Sequence, residues 1–102
     1  MRKELEQIIN NRLFSLHGKP IPDHEKGIQY QLEKVSFEGN KLVLHVFMVK
    51  ESGGVDYFDT SIDAANMHEL MSQLLIHFLK SDHGLIFHSV HKELDTISRN
   101  IY

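Results

Sequence analysis

The stretch Leu42-Val43-Leu44-His45-Val46-Phe47-Met48-Val49 decides the fold. Seven of its eight residues are apolar and it is rich in β-branched and aromatic types, which predicts the central strand of a sheet, buried on both faces. One histidine, His45, stands in the middle of it.

On its N-terminal side Ile28, Tyr30 and Leu32 alternate with Gln29, Gln31 and Glu33, the pattern of a strand with one wet face. The alternation then slips by one, because the next apolar residues are Val35 and Phe37. A β-bulge at Glu33-Lys34 absorbs the extra residue and keeps all five apolar side chains on one side. Gly39-Asn40 makes a two-residue turn with Glu38 opposite Lys41, so that Phe37 faces Leu42, Val35 faces Leu44, Leu32 faces Val46 and Tyr30 faces Met48. On the C-terminal side the turn Glu51-Ser52-Gly53-Gly54 leads to a third strand from Val55 to about Ile62. Hairpin pairing is expected to set Phe58, Thr60 and Ile62 on the same face as Val43, His45, Phe47 and Val49.

Helices flank this meander. Leu5, Ile8, Ile9, Leu13 and Leu16 recur at helical spacing over residues 2 to 17, with Gly18 as the C-cap and Lys19-Pro20-Ile21-Pro22 as the stop. The polar run Asp23 to Gly27 continues as a loop. Met67, Leu70, Met71, Leu74, Leu75 and Phe78 give the strongest helical period in the chain, with Asn66 and Glu69 as a capping box and Asp63 as the other candidate cap. In the tail, Ile86, Val90, Leu94, Ile97 and Ile101 predict a last helix, against a short fourth strand at Leu85-Ile86-Phe87. The expectation is one α+β domain over residues 1 to 102: a three-stranded antiparallel meander packed with helices, in the order α-β-β-β-α-α.

Composition limits function more than it names it. The hydrophobic share of 41% excludes intrinsic disorder, and 11 basic against 14 acidic residues, a formal charge of -3, give no electrostatic footprint for nucleic acid. The absence of cysteine removes disulfides, thiolate metal sites and cysteine nucleophiles. Charged residues in Met1-Arg2-Lys3-Glu4-Leu5-Glu6-Gln7 and the lack of a long apolar run predict a cytoplasmic protein without membrane contact. Eight histidines are the unusual count: full protonation carries the formal charge from -3 to +5 (-3 plus 8), so solubility or assembly is expected to respond to pH.

Motifs for chemistry are sparse. His68-Glu69 begins like a zincin helix, but position 72 is serine where a second histidine is needed. His83, His88 and His91 form the best metal cluster in the sequence, since His88 and His91 are three apart. His45 is expected to be neutral and bonded across the strands to Thr60. Asp56, Asp59 and Asp63 read as an acidic sheet edge that discourages strand addition rather than as an acid and base pair.

The element order helix, three strands, helix over residues 2 to 80 is similar to that of double-stranded RNA-binding domains. The resemblance implies a basic cluster at the start of the second helix, where this chain has Asp59-Thr60-Ser61-Ile62-Asp63-Ala64-Ala65-Asn66 instead.

The leading expectation is therefore a non-catalytic interaction or assembly module without a cofactor. It would associate with itself as a homodimer, or with another protein, through Val43, His45, Phe47, Val49, Phe58 and Ile62 unless the last helix covers them. A small metal-binding protein or enzyme using His83, His88 and His91 is the alternative reading, and a nucleic-acid-binding domain the third.

Overall fold

A computed structural model describes the backbone of residues 1–101 and the side chains of residues 1–96. Helix α1 (Lys3–Leu13) runs into a 3-10 turn (Phe14–Leu16) and is followed by strands β1 (Ile21–Asp23), β2 (Ile28–Glu38), β3 (Lys41–Lys50) and β4 (Val55–Asp63), then helices α2 (Met67–Lys80) and α3 (Gly84–Ile101). The strands form one antiparallel sheet in the order β1-β2-β3-β4. The fold is α+β, with four strands where the sequence predicts three. The extra strand is the Ile21-Pro22-Asp23 segment, which pairs with residues 28–30 of β2. Proline is tolerated there because the strand lies at a sheet edge. The order is consequently α-β-β-β-β-α-α, and the first helix is shorter than residues 2 to 17.

The β2–β3 register is the one expected from the sequence. Tyr30 lies opposite Met48, Leu32 opposite Val46, Val35 opposite Leu44 and Phe37 opposite Leu42, with the irregularity between Leu32 and Lys34. Gly39 has φ 59°, the left-handed conformation that the two-residue turn requires.

The β3–β4 register departs from expectation. Val49 pairs with Val55, so the connection is the five residues Lys50 to Gly54, closed by Gly53 N–H to Lys50 O (2.9 Å) and Lys50 N–H to Gly54 O (2.8 Å). One residue more than the predicted turn inverts the whole strand. Ile62 and Phe58 thus sit opposite Leu42 and Val46, on the face of the core, and Tyr57, Asp59 and Ser61 replace them on the other face.

All three helices lie against the core face. Ile9 and Leu13 of α1, Leu70 and Leu74 of α2, and Ile86, Phe87, Val90 and Leu94 of α3 join Tyr30, Leu32, Val35, Leu42, Leu44, Val46 and Ile62 in one buried cluster. The tail is a helix, as its spacing predicts, and it packs on this face rather than on the opposite one. The side chains of Ile97 and Ile101 lie outside the described residues. Asn66, not Asp63, caps α2: its side chain accepts from Glu69 N–H (2.9 Å), while Glu69 Oε2 accepts from Ala65 N–H (3.4 Å). Among the described residues no helix is long and apolar enough to cross a membrane.

The corner between α2 and α3 is tight. A Cβ on Gly84 would lie 2.3 Å from the Phe78 carbonyl oxygen, a distance that backbone atoms cannot yield cheaply. Gly84→Ala is therefore expected to lower the urea unfolding midpoint, by the equivalent of about 1–3 kcal/mol. A midpoint equal to that of the natural chain would show that the corner opens freely.

Candidate functional site

Because every helix is on one side, nothing among the described residues covers the other face of the sheet. β3 contributes Val43, His45, Phe47 and Val49 to it; β4 contributes Val55, Tyr57, Asp59 and Ser61; β2 contributes Gln29, Gln31, Lys34 and Ser36. Val43 is shielded to 9% exposure by its flanking strands alone, and Phe47 and Val49 are half-buried. Val55 and Tyr57 remain 51% and 68% exposed. The Phe47 and Tyr57 rings meet at 4.4 Å between centroids, tilted by 58°, and form the aromatic centre of the face.

Next to this pair a hydrogen-bonded row crosses three strands. His45 Nδ1 lies 2.8 Å from Asp59 Oδ1, and His45 Nε2 lies 2.8 Å from Ser36 Oγ. The tautomer that satisfies all three groups carries its proton on Nδ1, which donates to the carboxylate, and leaves Nε2 to accept from the serine hydroxyl. The expected bond to Thr60 is absent from the row, because in the observed register Thr60 lies opposite Leu44 and Asp59 lies opposite His45. Asp59 is therefore engaged by the imidazole. Asp56 is paired with Lys50 at 2.9 Å, and β4 keeps its acidic character as an edge strand.

The connectivity hydroxyl, imidazole, carboxylate is that of the serine-hydrolase relay, and it polarises the Ser36 hydroxyl toward His45. Acyl transfer needs more than this relay: an enclosed position for the carbonyl and donors for its oxyanion. The shallow depression beside the row, about 240 Å³, is lined by Val43, His45, Asp59 and Ser61 and does not include Ser36. The row is thus a satisfied polar crossing in an open apolar face.

The predicted histidine cluster does not assemble. His83 stacks on Phe58 at 4.2 Å, whereas His88 lies against the Phe78 ring at 4.6 Å. Among the described residues no three histidine, aspartate or glutamate side chains converge to hold a metal ion. What His83 does instead is close a polar contact at the margin of the core, with Nδ1 3.3 Å from the hydroxyl of Tyr30, whose side chain is fully buried. Burial, and then the nearby Lys26, hold the His83 imidazole below the ordinary histidine range, with Asp82 opposing. Burial, then Asp23 and Asp82, push the Tyr30 phenol up.

Neither polar contact was visible from residue type alone. Both follow from register and from the α2–α3 corner, and only the β3–β4 turn length carries a signal for the first.

The His83 shift has a sign. Its folded imidazole binds a proton less readily than in the unfolded chain, so its contribution is complete above about pH 6.5 and is lost as pH falls through the lower folded value. Urea midpoints measured from about pH 8 down to about pH 5 should fall, and should fall less in His83→Gln. Equal acid sensitivity in the two chains would contradict that assignment.

Comparison with protein-family models, with curated proteins and with solved structures finds no match to this chain, so its function is read from the geometry above.

Proposed function

We propose that this protein is a non-catalytic assembly module that pairs with a second copy of itself through the open sheet face. The observation that carries the proposal is the contiguous apolar patch Phe47, Val49, Val55 and Tyr57, which no element covers among the described residues. A sheet with one wet face normally alternates apolar and polar residues. β2 follows that rule with Gln29, Gln31, Lys34 and Ser36 outward, and β3 breaks it. Aromatic anchors surrounded by a polar margin are the usual anatomy of an interface.

The face is a better meeting surface than the sheet edges. β1 is three residues long, and β4 presents Asp56, Asp59 and Asp63, which would repel a second β4. A metal-dependent enzyme is less well supported, since His83 and His88 lie against different rings and no group of three ligands converges among the described residues. A second apolar patch does exist on α2, where Leu75, Ile76 and Leu79 are 43%, 41% and 80% exposed, and it serves as the control.

Sedimentation from low to high micromolar concentration should show a monomer–dimer equilibrium. Tyr57→Asp, at an exposed position that leaves the fold intact, should weaken the dimer by about tenfold or more, and Leu79→Asp should leave it unchanged. A natural chain that stays monomeric at high micromolar concentration overturns the proposal. So does a dimer that Leu79→Asp dissolves and Tyr57→Asp does not.

A further inference from the structure

β4 is a sheet edge nine residues long, and the outer side of its main chain is unpaired. Its ladder to β3 is continued at one end by Lys50 N–H to Gly54 O (2.8 Å) and at the other by Ala64 N–H to Asn40 O (2.9 Å), with no irregularity of register between them. Antiparallel strands alternate bonded and non-bonded pairs, so both ends place the bonded pairs at the even-numbered residues of β4. Val55, Tyr57, Asp59, Ser61 and Asp63 therefore turn their N–H and C=O groups away from β3. No strand lies on that side, and no hydrogen bond among the described residues meets these groups. All of these residues are exposed. A long edge is usually blunted by lysine, by proline, by a bulge or by a covering segment. Among the described residues β4 has none of these. The opposite edge is guarded: β1 is three residues long with a proline at its centre, and beyond it β2 runs beside Gln7 and Asn10 of α1, with Val35 buried.

What β4 carries is charge of one sign: Asp56, Asp59 and Asp63, with no cation on the strand. The balancing groups stand one strand inward. Lys50 pairs with Asp56 on the helical side at 2.9 Å, and Lys41 lies opposite Asp63. Asp59 accepts from the His45 ring and is still 66% exposed. An approaching strand thus meets carboxylates before it meets their partners. A second β4 is repelled by them, whereas a strand bearing cations at the levels of Asp59 and Asp63 is drawn in. We propose that the β4 edge is the docking site for an extended segment of another protein, added antiparallel to β4, with basic side chains opposite Asp59 and Asp63 and an aromatic one opposite Tyr57. Main-chain bonds at Tyr57, Asp59 and Ser61 supply the affinity and the alternate side chains supply the choice. The site is the edge of the sheet rather than its open face, so it stands whether or not two copies pair through that face.

The probe is the capped peptide Lys-Val-Thr-Val-Lys-Val-Tyr, which spans β4 from the level of Asp63 to that of Tyr57. It should bind saturably at concentrations up to about 1 mM. On binding, the amides of Tyr57, Asp59 and Ser61 should exchange with solvent about tenfold or more slowly, while those of Phe58 and Thr60, already bonded to β3, should gain little. N-methylation of the peptide at its threonine and central lysine, the residues that donate toward β4, should weaken binding about tenfold or more, and N-methylation at the flanking valines should not. Replacing both lysines by glutamate should remove binding. Ser61→Pro, at an exposed edge position where proline is tolerated, should weaken the peptide about tenfold and leave self-association through the open face unchanged. Absence of saturable binding overturns the proposal. So does binding that protects odd and even amides alike, that ignores which residues are methylated, or that the glutamate peptide or the Ser61→Pro chain reproduces in full. A chain that stays monomeric yet protects the odd-numbered amides supports this site while overturning the dimer.

Discussion

The extra residue between Leu32 and Lys34 is the constraint on which the rest of the structure depends. Before it, β2 pairs with β3 as Tyr30 with Met48 and Leu32 with Val46; after it, as Lys34 with His45 and Val35 with Leu44. Without that step Val35 and Phe37 would turn to the face opposite Tyr30 and Leu32, and the helices would have only half a strand to cover. A bulge forfeits roughly one ladder hydrogen bond, worth about 1 kcal/mol net, whereas burying each large apolar side chain is worth about 1.5–3 kcal/mol. The apolar side chains win, and the ladder yields.

The same step sets the chemistry of the opposite face. In an unbroken register the residue opposite His45 would be Glu33, and the imidazole would stand between two carboxylates, Glu33 and Asp59. With the bulge Lys34 takes the place opposite His45, Asp59 stays on the other side, and Glu33 is left without a partner in the ladder. Which residue stands opposite His45 is therefore a consequence of how the core was filled on the other side.

How far the sequence reaches depends on the turns. Gly39-Asn40 admits a two-residue connection, which fixed the β2–β3 pairing and with it the helical face, residue by residue. Lys50 to Gly54 contains Gly53-Gly54, which marks a turn without setting its length: the sequence predicts four residues, the chain uses five, and the difference of one exchanged Phe58 and Ile62 for Tyr57 and Asp59. The apolar half of the open face, Val43, Phe47 and Val49, was legible because it belongs to β3 itself. Its aromatic partner and the Ser36–His45–Asp59 row were not, because they depend on that count. β1 was hidden for a different reason: three residues show no period, and a proline in the middle is allowed only by its place at the edge.

Residues with high β-propensity account for part of the open face without any partner. Val43 is almost fully shielded within a single chain, and the Phe47–Tyr57 contact contributes cross-strand stability of about 0.2–1 kcal/mol. That account covers β3, whose side chains are screened on both flanks. It does not extend to β4, an edge strand on which Val55 and Tyr57 hold most of their surface in water although polar residues would serve the fold as well. The exposed apolar surface of this face is thus concentrated on β4, the strand that also holds Asp59 against His45, so the length of the β3–β4 turn decides both what the face exposes and how its one histidine is bonded.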